Sequence, residues 1–129
     1  LAEMLKTTNF LACLLPDTPA TKGILDRSLF EKMPKGSFLL NAGRGNQLVE
    51  KDLTIALDNG QIKGAALDVF IEEPLPQNHP FWNDHRIIIT PHHAAEVFMP
   101  SAAKAFVENI ERVRSGQPLK GLVNQKVGY

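Results

Sequence analysis

An α/β fold with a mainly parallel sheet of about four strands is predicted by three observations. Apolar runs of strand length alternate with segments of helical period, the pattern of strand–helix–strand units. The runs are apolar throughout rather than at every second residue, as suits strands in a parallel sheet covered on both faces. Just past three of these runs stand Arg44, Asp68 with Glu73, and His92, so polar chemistry collects at strand C-terminal ends. In open α/β sheets that is where ligands bind.

The elements follow in order. Leu1–Lys6 places apolar residues at 1, 4 and 5, the last turns of a helix. Asn9–Leu15 is the first strand, stopped by Pro16 and Pro19, which support neither ladder nor helix. Asp26 caps a short helix to about Met33, with Leu29, Phe30 and Met33 on one face; Pro34 and Gly36 end it. Ser37–Leu40 is the second strand. After it comes Asn41-Ala-Gly-Arg-Gly45, where two glycines around an arginine mark a turn whose backbone approaches something closely. Glu50–Asn59 is a helix with Val49, Leu53, Ala56 and Leu57 as its stripe, ending at Asn59-Gly60. Ile62–Val69 is the third strand. In the loop Leu75–Arg86, Phe81 and Trp82 are expected to anchor by burial. Ile87–Thr90 is the fourth strand. Pro100 starts the last helix, whose face is Ala103, Phe106, Val107, Ile110 and Val113; Arg112 and Arg114 suit its C-terminal dipole, and Gly116 and Pro118 stop it. The set amounts to about half of a doubly wound domain, with right-handed crossovers.

Composition narrows the function. The 129 residues carry 14 basic and 14 acidic side chains, so the formal net charge is zero and the electrostatic footprint of a nucleic-acid binder is missing. No apolar run reaches the about 20 residues needed to span a bilayer. The single cysteine, Cys13, cannot form an intrachain disulfide, which fits a reducing, cytoplasmic setting; in its apolar run it reads as a buried inert thiol. His79, His85, His92 and His93 lack compact metal-ligand spacing, so no metal is expected. No G-x-S-x-G nucleophile elbow is present.

His92 is the candidate acid–base group. Pro91 restricts the backbone before it, Ala94-Ala95 leaves the surroundings uncrowded, and histidine is the natural proton shuttle near neutral pH. A lone histidine after a strand is more often structural or solvated, and His93 is assigned that role. Glu72 and Glu73 read either as a solvated acidic loop or as a source of a carboxylate for His92. Glu73 is favoured because Pro74 restricts its backbone to an extended conformation. Arg44 offers a bidentate fork for a carboxylate, against a plain exposed turn. Asp68 either caps a turn or binds a polar amide of a cofactor.

Four stretches carry a resemblance: Leu15-Pro-Asp-Thr-Pro-Ala-Thr-Lys-Gly23, Asn41-Ala-Gly-Arg-Gly45, Ala66-Leu-Asp-Val-Phe-Ile-Glu-Glu-Pro74 and Thr90-Pro-His-His-Ala-Ala95. In this order they resemble the NAD(P)-dependent D-2-hydroxyacid dehydrogenases. Pro74-Leu-Pro76, Phe81-Trp82 and the closing Val-Gly-Tyr129 look most like the bacterial glyoxylate/hydroxypyruvate reductase type. The resemblance implies the C-terminal half of a Rossmann-like NAD(P)-binding domain over residues 1–116, and a tail, 117–129, that packs on a separate substrate domain. It implies Arg44, Glu73 and His92 as catalytic residues: Arg44 holds the carboxylate of a small 2-oxo acid, His92 gives a proton to the carbonyl oxygen, and Glu73 orients His92. It implies that Leu15, Pro16, Ala42, Gly43, Arg44, Asp68, His92 and Ala94 line a cleft for NADPH or NADH, with NADPH favoured and Asp68 on the nicotinamide side.

Three departures qualify this. There is no G-x-G-x-x-G, so the phosphate site lies outside this chain. Gly43 stands where the family often has Ser or Ala, and His93 where it is commonly apolar. The chain alone is therefore expected to be inactive, and its exposed sheet edge to favour a homodimer. The rival class is a non-catalytic dinucleotide-sensing or regulatory protein on the same scaffold. A formate dehydrogenase of the same superfamily is disfavoured by Glu73, since that branch resembles a Gln there.

Overall fold

The computed structural model describes residues 1–95, 98–124 and 126. It divides into two compact units, Leu1–Ala94 and Ala95–Tyr129.

The first unit contains α1 (Ala2–Leu5), β1 (Phe10–Cys13), α2 (Arg27–Phe30), β2 (Ser37–Asn41), α3 (Glu50–Asp58), β3 (Ile62–Leu67) and β4 (Ile87–Ile89). The strands form one parallel sheet in the order β1-β2-β3-β4. β1 stops at Cys13, two residues before the expected Leu15. The register places Cys13, Asn41, Leu67 and Ile89 side by side in one row. Everything the sequence flagged as polar and functional lies one to six residues beyond that row.

Alternation along the strands separates two faces. Leu39, Ala65 and Leu67 point into a core shared with Leu29, Phe30 and Met33 of the α2 region and with Leu53, Ala56 and Leu57 of α3. Asp26 caps α2 as expected, accepting from Leu29 N at 2.8 Å. The opposite face presents Phe10, Leu40 and Ile88, all exposed, with Phe10 stacked on Phe38 at 5.0 Å. The expectation that both faces would be covered therefore holds for one face only among the described residues. Successive right-handed crossovers running in one direction put their helices on the same side.

The β3–β4 loop is anchored by Phe81, which is 3% exposed. His79 accepts from Phe81 N through Nδ1, and its Nε2 faces Glu50 Oε2 at 3.3 Å. Trp82 departs from expectation: it is half exposed, and its indole N–H donates to Pro76 O at 2.8 Å.

The second unit is organised on α4 (Met99–Arg114), with Pro100 in its first turn. Its end is a Schellman closure: Gly116 has φ +67°, Gly116 N donates to Val113 O and Gln117 N to Arg112 O. The stretch after it is tied back by Lys120 N to Asn109 Oδ1 at 2.9 Å and by a Lys120–Glu108 ion pair. Val127, Gly128 and Tyr129, which the sequence resemblance used, lie outside the described residues. No helix among the described residues is long and apolar enough to cross a membrane.

Candidate active site

Each site residue owes its place to the strand that precedes it. Beyond Asn41 at the end of β2, the chain turns through Ala42 and Gly43 to Arg44, which enters a one-turn 3-10 helix, Gly45–Gln47. The turn is braced from within: Gly43 N donates to Asn41 Oδ1 at 3.2 Å, and Arg44 Nη1 donates to Gly43 O at 2.7 Å. Arg44 is exposed at the crest of the sheet. The two flanking glycines do mark close approach. A side chain at Gly45 would come within 1.9 Å of the Phe70 carbonyl carbon, so the Arg44 turn lies directly against the Phe70–Ile71 backbone.

That same backbone positions the glutamate. Phe70 N donates to Glu73 Oε1 at 2.9 Å, and Glu73 Oε2 lies 2.8 Å from His92 Nδ1. Glu72 is exposed. The pairing thus selects Glu73 over Glu72, although the peptide from Glu73 to Pro74 is cis rather than the plain extended link that Pro74 suggested. The hydrogen bond from His92, the Phe70 N–H and the nearby charges of His92 and Arg44 hold the Glu73 carboxyl below its ordinary range, against the effect of burial.

His92 is the one described non-glycine residue with a positive φ, at +52°. A left-handed residue other than glycine costs free energy and persists only where its surroundings hold it there. Asp68 supplies that hold. It is 3% exposed, one residue past β3. Its Oδ1 accepts from the Thr90 hydroxyl and from His93 N at 2.9 Å, and its Oδ2 accepts from Ala94 N at 2.9 Å. Burial alone would raise the Asp68 pKa, but the His93 N–H, the Thr90 hydroxyl and the Ala94 N–H outweigh it, so the group is held below its ordinary value. Both Asp68 oxygens help to shape the histidine loop.

Leu15 and Pro16 lie just past β1. Their carbonyls accept from Gln47 Nε2 at 2.8 and 3.0 Å. Together with Ala42, Gly43, Arg44, Asp68, His92 and Ala94 they follow the four strand ends in order. Ala42 and Ala94 are small, whereas Gly43 is buried and packed against Gln47 and Leu15. Beside the His92–Glu73 pair opens a cavity of about 540 Å³, walled by Phe70, Leu75, Trp82 and Ile89. The sequence reading missed three participants: Thr90, the Phe70 N–H and Gln47. A polar side chain gives no sign of its partner when that partner is 32 residues away, as Leu15 is from Gln47.

A parallel sheet, a histidine–carboxylate pair past its strand ends and an arginine turn packed against the same loop define the class: an α/β domain with a candidate acid–base site at the carboxyl ends of its strands. Residues 1–94 match the model of the D-isomer specific 2-hydroxyacid dehydrogenase NAD binding domain, and the chain belongs to that family. Among curated relatives it is 49% identical over 129 residues to glyoxylate/hydroxypyruvate reductase A of Photorhabdus laumondii, covering all of this chain and 41% of that protein. It is 45% identical over 128 residues to the protein of that name from Serratia proteamaculans, covering 99% and 41%. The chain therefore spans about two fifths of the length of these relatives. Among solved structures, a D-isomer specific 2-hydroxyacid dehydrogenase from Xanthobacter autotrophicus, in complex with NADPH and MES, superposes with a TM-score of 0.94 at 36% identity, covering 100% of this chain and 53% of that one. An NADPH-dependent glyoxylate/hydroxypyruvate reductase from Sinorhizobium meliloti, in complex with NADP and sulfate, gives a TM-score of 0.91 at 38% identity, covering 99% and 42%.

Proposed function

We propose that the full-length protein carrying this chain reduces a small 2-oxo acid, glyoxylate or hydroxypyruvate, to the 2-hydroxy acid at the expense of NADPH. The observation that carries the reading is the 2.8 Å contact between His92 Nδ1 and Glu73 Oε2, with Arg44 presented against the same loop. The dinucleotide, when bound, supplies the hydride. Leu15, Pro16, Ala42, Gly43 and Ala94 form its wall, and Asp68 serves it by holding the loop of His92 and Ala94. Arg44 takes the substrate carboxylate through its fork and polarises the neighbouring carbonyl. With Nδ1 facing Glu73, the other ring nitrogen of His92 is the one that gives a proton to the carbonyl oxygen. Glu73, fixed by Phe70 N, orients the ring and stabilises its charged form.

The same proposal takes residues 1–116 as the second half of the cofactor domain and 117–129 as a tail on the substrate domain. It takes the protein as a cytoplasmic homodimer. The neighbours solved with NADPH or NADP support NADPH over NADH.

The test is NADPH oxidation by the full-length protein with glyoxylate and hydroxypyruvate. Saturable turnover, lost in His92→Asn, is expected. Dinucleotide binding without turnover of either acid would instead support the regulatory alternative. The 129-residue chain alone is expected to be inactive.

A further inference from the structure

We propose that Gln47 is a positioning residue: its buried amide locks the backbone of Arg44 to the end of β1, and Gly43 exists without a side chain to make room for it. The proposal rests on the reductase reading above, because it assigns a function to how Arg44 is held.

Gln47 is fully buried, with 0% exposure. All the hydrogen-bonding capacity of its amide is used. Nε2 donates to Leu15 O at 2.8 Å and to Pro16 O at 3.0 Å. Oε1 accepts from Arg44 N at 2.9 Å and from the Cys13 thiol at 3.3 Å. This pattern fixes which end of the amide is which. The reverse orientation would set an N–H pair against the Arg44 N–H and an oxygen against two carbonyls. It also gives the buried Cys13 a structural partner.

The location matters as much as the bonding. The β1–β2 ladder ends with Ala42 N donating to Cys13 O at 3.1 Å. Beyond that point the two strands have no shared backbone register, yet Leu15-Pro16 and Arg44 must stand at fixed positions on either side of the crest. The Gln47 amide takes over where the ladder stops. The guanidinium is drawn into the same arrangement, since Arg44 Nη1 donates to Gly43 O at 2.7 Å.

Gly43 supplies an independent observation. Its φ is not positive, so no left-handed backbone demands glycine here. The demand is steric. A Cβ at this position would stand 2.3 Å from Gln47 Oε1 and 3.1 Å from Leu15 O. Gly43→Ala therefore pushes out the very oxygen that accepts from Arg44 N.

The test uses the full-length protein with Gln47→Met, which keeps volume and removes the amide, with Gly43→Ala, and with the double variant. Each single variant is expected to raise KM for the 2-oxo acid about tenfold and to lower kcat, since small misplacements of a binding group have effects of that order or larger. A variant that merely folded less well would lose kcat in proportion to inactive protein and leave KM unchanged. The double variant is expected to be no worse than Gln47→Met alone, because the two changes break one interaction. Hydrogen exchange at the Arg44 amide reads the same bond without activity and should accelerate at least about tenfold in both single variants. Wild-type KM values in both single variants, strictly additive effects, or an unchanged Arg44 amide would overturn the inference. If the wild type turns over neither acid, the reductase reading fails, and the exchange measurement alone decides whether Gln47 holds Arg44.

Discussion

The helices of residues 1–94 and the helix of residues 95–129 carry the same kind of apolar stripe and meet different fates. On α3, Leu53, Ala56 and Leu57 are buried to 4% exposure or less, and the α2 region buries Leu29, Phe30 and Met33. On α4, Phe106 is 69% exposed, Val113 63% and Val107 53%, and no residue of the helix is buried. The first region gathers its stripes onto a sheet through short crossovers. The second holds its helix by local means, a proline in the first turn, a Schellman closure and the Lys120–Asn109 and Lys120–Glu108 ties. A stripe at helical spacing thus marks a face that covering would stabilise. It does not say what covers it, because the covering residues are distant in sequence.

If function and stability are concentrated in the first region, changes there should dominate. The largest effect expected is on turnover: His92→Asn in the full-length protein should lower kcat by about 10²- to 10⁴-fold, the range for loss of a positioned acid–base group. Steady-state kinetics reads it directly. Next, Leu53→Ala empties a site of 0% exposure and should cost about 2–5 kcal/mol in urea unfolding of the 129-residue chain.

Electrostatics of the first region come third. Side-chain hydrogen bonds from Arg86, opposed by burial and aided by the Arg86 backbone N–H and charge, lower the Asp84 pKa from 3.8 to about 2. A carboxyl with a depressed folded pKa contributes stability that is present above its unfolded value and lost as pH falls through the folded one. The contribution, of order 1–2 kcal/mol, should therefore disappear between about pH 4 and pH 2. Asp84→Asn should flatten the stability profile across that window and leave the His92 chemistry intact. The smallest effect belongs to the second region: Phe106→Ser in the same chain should change stability by less than about 0.5 kcal/mol. A loss of more than about 1 kcal/mol, outside the usual surface range, would mean that the stripe of α4 is covered in solution and that the contrast between the regions is false.

The site was legible in the chain to a definite depth. Arg44, Glu73 and His92 could be named because each follows an apolar run and carries a chemically apt group. The proline after Glu73 gave a reason to prefer it to Glu72, while the contacts that set Glu73 in place are the Phe70 N–H on one oxygen and His92 on the other. Trp82 and Phe81 looked alike as loop anchors, yet only Phe81 is buried. Neighbours in a short 3-10 turn point in different directions, and composition cannot rank them. The glycines at 43 and 45 signalled close approach, while the approaching groups, Gln47 with Leu15 and the Phe70 backbone, emerge only once the strands are aligned.

What the sequence by itself determined is local: the alternation of strands and helices, the caps and stops, the membership of a parallel sheet, and the residues at the strand tips. These depend on hydrophobic period, proline and glycine, which act within a few residues. Only the tertiary structure decided that one sheet face carries the helices, that Asp68 spends both oxygens on the loop that turns His92 into a left-handed conformation, and that Gln47 joins Arg44 to Leu15 and Pro16. Those bonds cross 25 to 32 residues wherever they leave the local turn. Their partners are set by which residues the parallel register brings to the row of Cys13, Asn41, Leu67 and Ile89.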